Sequence, residues 1–331
     1  MRTHDRSSLD IRRAGRALPL GLALIVAATA LVACSVASGG SGGPSAAAAS
    51  GAGASAGTAV SPAASAGATG AGPRMAKAGA DWQHALQVVA YLRAHPPSRP
   101  LVLMIGSSIV RESTISDASW AAQVHQRGGP QVTAYDLGSS NQSFAQDVKL
   151  VGYLPSAPTI VFIGVDVVRF VSAPANPVVT LPAPQPVPAG YDPHRYSSAR
   201  ILPDSQKRSL VTSWMTSRFP VFSKNYAYNL GQLNKLIEAC RARGLHPVLL
   251  DTPRNTAVIG PGFDKAVGRY RTSCRQLAAK YGIPFVDMVA AARFTSTDFY
   301  DLWHAVQPGR AKWQLLLSDQ TVQLLQRYGM K

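Results

Sequence analysis

Five short apolar runs, none broken by a charge, alternate with longer amphipathic segments along the chain; the runs are 101–105, 131–135, 159–163, 247–250 and 283–286. Apolar residues at helical spacing predict helices over 82–92, 117–127, 142–154, 225–243, 263–281 and 308–328, with Asp117 as a helix N-cap. A strand with one wet face shows a period of two. These runs do not, so both faces of each strand must be covered. Strand and helix alternate throughout, which predicts an α/β fold built on a five-stranded parallel sheet between helical layers.

The alternation does not extend over the whole chain. Residues 1–16 carry five arginines and two aspartates, and residues 17–33 carry no charge at all. A basic start followed by an apolar run of this length predicts an export signal, with an uncleaved anchor helix as the other reading. The run ends in Leu31-Val32-Ala33-Cys34, which resembles a bacterial lipobox, so Cys34 is expected to carry lipid and to tether residues 35–331 to the outer face of the cell membrane. Arg12-Arg13 adds a weak twin-arginine signal. Residues 35–73 are almost entirely Gly, Ala, Ser, Thr and Pro; they have little to bury and are expected to form a flexible linker. The folded domain is then 74–331, interrupted by a proline-rich stretch at 172–220 with no clear period. Long loops of that kind inside a domain often cover a functional site.

Ligands of open parallel sheets bind beyond the carboxyl ends of the strands, so the residues there are the candidates. They are Gly106-Ser107-Ser108, then Asp136 to Asn141, Gly164-Val165-Asp166, Asp251 to Arg254, and Asp298 to His304 before the last helix. A serine hydroxyl is a poor nucleophile near neutral pH and needs a base, which itself needs orienting. Ser108 could merely start a helix. Asp301 and His304, however, are three residues apart, so one turn could hold both in a shared pocket, Asp301 on Nδ1 and Nε2 facing Ser108. The backbone N–H groups of Ser108 and Gly138, and the Asn141 amide, are candidate oxyanion donors.

The segments VLMIGSSIV, followed by Trp120, then YDLGSSNQS, VFIGVD and DLWH, resemble in order and spacing the blocks of the SGNH/GDSL hydrolases. The resemblance spans nearly all of 99–328. It implies a flavodoxin-like three-layer α/β/α sandwich and chemistry on acyl esters, with Ser108 as nucleophile, Gly138 as an oxyanion donor, and Asp301 and His304 as the Asp-x-x-His pair. Two positions depart from the pattern. Ser107 stands where Asp is common, and Asp166 fills the place of the block-three asparagine. An ionised carboxylate would repel an oxyanion. Either Asn141 substitutes for the missing donor, or Asp166 points elsewhere, or it stays protonated. These departures resemble envelope members of the superfamily, which include proteins that move acyl groups onto wall polymers or exopolysaccharides. The function expected is an extracytoplasmic serine esterase or O-acyltransferase on acyl esters of envelope glycans or polymers. The alternative is a lipoprotein of the same fold that has lost its chemistry and only binds a glycan or polymer.

Composition narrows the partners. The chain is +16 at neutral pH; the first sixteen residues account for +3 of this, leaving +13 on the rest. An exported protein this basic should be drawn to anionic lipid or wall polymer. No nucleic-acid-binding motif is present, and a monomer is expected. No cofactor and no metal are expected: neither a dinucleotide fingerprint nor a phosphate loop follows the first strand, and no His/Cys/Asp cluster has ligand spacing. Asp166 and Arg254 are possible substrate contacts, Arg254 for an anionic group or else as a surface charge. Cys240 and Cys274 could form a disulfide worth roughly 3–4 kcal/mol, or stay two buried thiols. His194 is read as a loop residue, with a substrate contact as the other reading, and Trp214 and Phe219 as either core or acyl-pocket lining.

Overall fold

A computed structural model describes residues 79–188 and 190–331. The predicted signal segment, Cys34 and the linker lie outside the described residues. Five strands, β1 Leu101–Ile105, β2 Thr133–Asp136, β3 Thr159–Val165, β4 His246–Asp251 and β5 Phe285–Asp287, form one sheet. Their order is β2-β1-β3-β4-β5 and every pairing is parallel. The helices among the described residues are α1 Ala80–Ala94, α2 Ser108–Arg111, α3 Asp117–Gln126, α4 Phe144–Val151, α5 Asp204–Ser217, α6 Phe219–Ala242, α7 Thr256–Ile259, α8 Asp264–Tyr281 and α9 Gln307–Arg327.

Successive side chains of a strand point to opposite faces, and here both faces are dry. Leu101, Leu103 and Ile105 of β1 join Val161 and Ile163 of β3 in a core closed by α1, α4, α6 and α8. Val102 and Met104 join Ile160, Phe162, Val248 and Leu250 in a second core, closed by Trp120 and Val124 of α3 and Trp313 and Leu317 of α9. Double burial is why the strands lack alternation in the sequence. The chain winds outward from β1 to β2 and returns past it to β3, so the crevice at the strand ends opens between β1 and β3.

Two local expectations differ from the structure, and one left open is decided. The N-cap of α3 is Ser116, whose side chain accepts the Ser119 N–H, and Asp117 instead accepts the N–H of Asp136 at 2.7 Å. The aperiodic stretch 172–220 contains α5, and α6 begins at Phe219 rather than at 225. Helix α5 buries only Lys207 and Trp214, so it carries no apolar stripe to reveal it. The Lys207 ammonium anchors it, donating to Ser296 O at 2.7 Å and Phe299 O at 3.0 Å. Cys240 and Cys274 are free, buried thiols and form no disulfide. They sit in the apolar core, where burial pushes both thiols up, Cys240 to about 12.

Candidate active site

The nucleophile candidate stands where β1 turns into α2. Ser107 is the N-cap, its hydroxyl accepting the Ile109 N–H at 3.3 Å, and Ser108 is the first helical residue. Helix α2 lies directly on the strand ends. A methyl group at Gly138 would come within 2.5 Å of the Arg111 backbone nitrogen, so only glycine permits this approach. On the far side of the crevice, an isolated bridge between Phe299 and Ala305 and a hydrogen bond from Tyr300 N–H to His304 O at 2.8 Å fold 299–305 into a tight turn. That turn carries Asp301 and His304 to the rim where Ser108 lies.

The two groups, 196 residues apart in sequence, meet: Ser108 Oγ lies 2.9 Å from His304 Nε2. His304 Nδ1 lies 2.8 Å from Asp301 Oδ2. The second oxygen of Asp301 accepts the N–H groups of Trp303 and His304, both at 2.9 Å. Burial works against the charge on Asp301, but the adjacent imidazole and these two amides outweigh it and hold the carboxyl below its ordinary value. Asp301 is therefore an anion at neutral pH. A carboxylate on Nδ1 fixes the tautomer that leaves Nε2 free to accept the Ser108 proton.

The oxyanion donors require a correction. The Gly138 N–H is already spent on Asp136 Oδ1 at 2.9 Å, so the glycine serves the close approach of α2 and does not face the crevice as a donor. The loop around it is tied down residue by residue. Ser139 Oγ donates to Gln142 at 2.8 Å, and Gln142 donates to Asp147 at 2.6 Å. Ser140 N–H donates to Asp81 at 2.8 Å, and Ser140 Oγ accepts from Arg111 at 2.7 Å. Asn141 is left over. It is exposed, it sits at φ 58°, and among the described residues neither its backbone N–H nor its amide has a partner. The Ser108 N–H is likewise unclaimed among the described residues. Asn141 and Ser107 line one groove together with Gln146, Val168 and Arg218.

Asp166 and Arg254, the two possible substrate contacts, are both occupied. Asp166 is buried, accepting from Ser107 Oγ at 3.0 Å and from the Arg169 N–H at 2.9 Å. Burial raises its carboxyl, against the pull of the Arg169 guanidinium. Both of its oxygens are thus engaged, one by the N-cap serine and the other by the Arg169 amide. Arg254 is also buried, its guanidinium donating to Asp251 at 2.9 Å and to Tyr270 at 3.2 Å. It closes a polar cluster at the end of β4 and is neither a surface charge nor a free anion clamp.

Several residues at the site escaped the sequence. A buried charge network lies behind the two serines: Arg111 pairs with Asp81 at 2.5 Å and Glu112 at 2.9 Å, and Arg310 of α9 pairs with Glu112. Residues 194–196 of the proline-rich stretch reach this region. His194 Nε2 lies 2.8 Å from Thr114 O, Arg195 N–H donates to Glu112 at 2.9 Å, and Tyr196 stacks on His304 with centroids 4.4 Å apart. His194 thus holds the loop. Trp214 belongs to the core and also lines a second groove with Asp301, Trp303 and Arg218. Arg218 borders both grooves, is exposed, and forms no ion pair among the described residues. The one sequence signal for the network was Arg111-Glu112 directly behind the serines; adjacent opposite charges are too common to single out.

No family model and no curated protein matches the chain. Solved structures similar to it include the lipase/acylhydrolase from Enterococcus faecalis, at 13% identity over 70% of this chain and 97% of that one, TM-score 0.39. An acetylxylan esterase from Geobacillus stearothermophilus is 13% identical over 70% of this chain and 94% of that one, TM-score 0.41. A carbohydrate esterase family 3 structure from Talaromyces cellulolyticus is 14% identical over 69% of this chain and 98% of that one, TM-score 0.41.

Proposed function

We propose that the protein is a serine esterase or O-acyltransferase of SGNH type, tethered outside the cell through lipid on Cys34 and acting on acyl esters of envelope glycans or polymers. The single observation carrying the chemistry is the continuous chain from Ser108 Oγ through His304 to Asp301, at 2.9 and 2.8 Å. Ser108 Oγ attacks the acyl carbonyl as its proton passes to Nε2, and the imidazolium that forms is held by the Asp301 carboxylate. The N–H groups of Ser108 and Asn141, with the Asn141 amide, are the unclaimed donors for the oxyanion. Collapse breaks the ester C–O bond, and His304 returns its proton to the departing alcohol. Water, or a hydroxyl of a sugar acceptor, then gives a proton to His304 and attacks the acyl-serine, which frees Ser108. The engagement of Asp166 by Ser107 and Arg169 favours this reading over a binding protein of the same fold without chemistry.

Support for an anionic polymer substrate is electrostatic: residues 17–331 carry a net charge of +13, and Arg218 borders both grooves with no ion pair among the described residues. A fluorophosphonate probe is expected to label the wild type and not Ser108→Ala. Equal labelling of both would remove the nucleophile assignment. Turnover of acetyl, aminoacyl and longer esters, measured with and without sugar acceptors, separates hydrolysis from transfer.

A further inference from the structure

One residue of the proline-rich stretch, Tyr196, stacks on the base itself. The Tyr196 ring stacks on His304 at 4.4 Å with 24° between the planes, and Tyr300 lies tilted against Tyr196 at 4.5 Å. The stack ends on the imidazole whose edges carry Ser108 and Asp301. Tyr196 is not held there by the stack alone. Its carbonyl accepts from Arg310 at 2.7 Å, and the preceding N–H of Arg195 donates to the fully buried Glu112 at 2.9 Å. Burial and the nearby Asp301 carboxylate raise the phenol to about 12, so the ring stays neutral.

We propose that Tyr196 is a positioning residue: its ring fixes the plane of the His304 imidazole between Ser108 and Asp301 and favours the imidazolium formed when Ser108 gives up its proton. An aromatic face is the negative end of a quadrupole, and a cation stacked on it is stabilised without needing the hydroxyl. This inference rests on the catalytic reading of the triad. The charged and titratable groups around His304 are Asp301 on its own turn, Tyr300 and Tyr196 in the stack, and Ser108 at Nε2. Farther out, Arg111 and Glu112 of the network behind the serine, and Arg310 of α9, act on Tyr196, and Lys207 of α5 feels Asp301. All of these except the Tyr196 side chain itself are retained when Tyr196 is changed.

The test compares Tyr196→Phe with Tyr196→Leu in the whole protein. The first readout is the titration of the His304 ring followed by NMR, assigned by its loss in His304→Gln. The second is the pH profile of fluorophosphonate labelling at Ser108. Removing the ring should lower the His304 midpoint and slow labelling on the plateau about tenfold, while Tyr196→Phe should match the wild type in both. A His304 midpoint that is the same in Tyr196→Leu and the wild type overturns the proposal, as does a loss in Tyr196→Phe equal to that in Tyr196→Leu. Absence of labelling in the wild type, by contrast, strikes the esterase reading, and the NMR titration still decides whether the ring favours the imidazolium.

Discussion

Replacing Asp301 by Asn tests the electrostatics of the triad with almost no change of shape. The amide oxygen can still accept the N–H groups of Trp303 and His304, which hold the turn together at 2.9 Å each. What changes is the atom facing His304 Nδ1, 2.8 Å away and only partly exposed. An NH2 group there cannot accept the ring proton, so the imidazole is driven into the tautomer with Nε2 protonated and can no longer take a proton from Ser108. The charge is lost as well. Unit charges about 4 Å apart at an effective dielectric of about 20 interact by about 4 kcal/mol, which is about a thousandfold in rate at about 1.4 kcal/mol per decade. With the wrong tautomer added, a loss of about 10³ to 10⁴ in kcat is expected, in the range that the same change produces in serine proteases. The assay is hydrolysis of an activated acetyl ester, with melting temperature as the control for folding. A folded Asp301→Asn protein retaining more than a tenth of wild-type kcat would refute the assignment of Asp301 as orienter of the base.

Two further predictions follow from the loop of β2. Asn141 sits at φ 58°, a region that costs an ordinary side chain about 1–2 kcal/mol, so Asn141→Ala should lower stability while Asn141→Gly should not. If the amide is an oxyanion donor, both variants should lose about 10²-fold in kcat; retention of full activity in Asn141→Gly leaves the backbone N–H as the donor. Asp117 is the other case: burial pushes its carboxyl up to about 6, partly countered by the Asp136 N–H. The folded state therefore binds more protons than the unfolded chain between about pH 4 and 6, and stability falls as pH rises through that window, by at most about 1.4 kcal/mol per unit for this group. Asp117→Asn removes the loss, so the mutant's melting temperature should gain on the wild type from pH 4 to 6 and keep a constant lead above it. A lead independent of pH would rule out Asp117 as the group responsible.

The architecture was legible because it rests on one-dimensional facts. A parallel sheet buried on both faces demands uninterrupted apolar strands, and runs such as Leu101–Ile105 and Thr159–Val165 declare it wherever they occur. Ser108, Asp301 and His304 could be singled out for a related reason: in this topology every strand end lies on one rim, so residues far apart in the chain become candidates for one site. Helix α5 was not legible, since a helix that exposes nearly all its surface has no apolar period.

What the sequence could not decide is where hydrogen bonds go once several partners compete. Gly138 has a donor free by residue type, yet Asp136 takes it; Asp166 and Arg254 have charge to offer a substrate, yet Ser107, Arg169, Asp251 and Tyr270 consume it. Tyr196 reads as one aromatic in a proline-rich loop until Arg310 and Glu112 fix its backbone over His304. Composition and period set which segments are buried, because burial depends on the sum of apolar surface. Direction is set by short-range, saturable bonds whose partners are neighbours only in three dimensions, so the tertiary structure alone assigned each polar group either to the fold or to the open crevice.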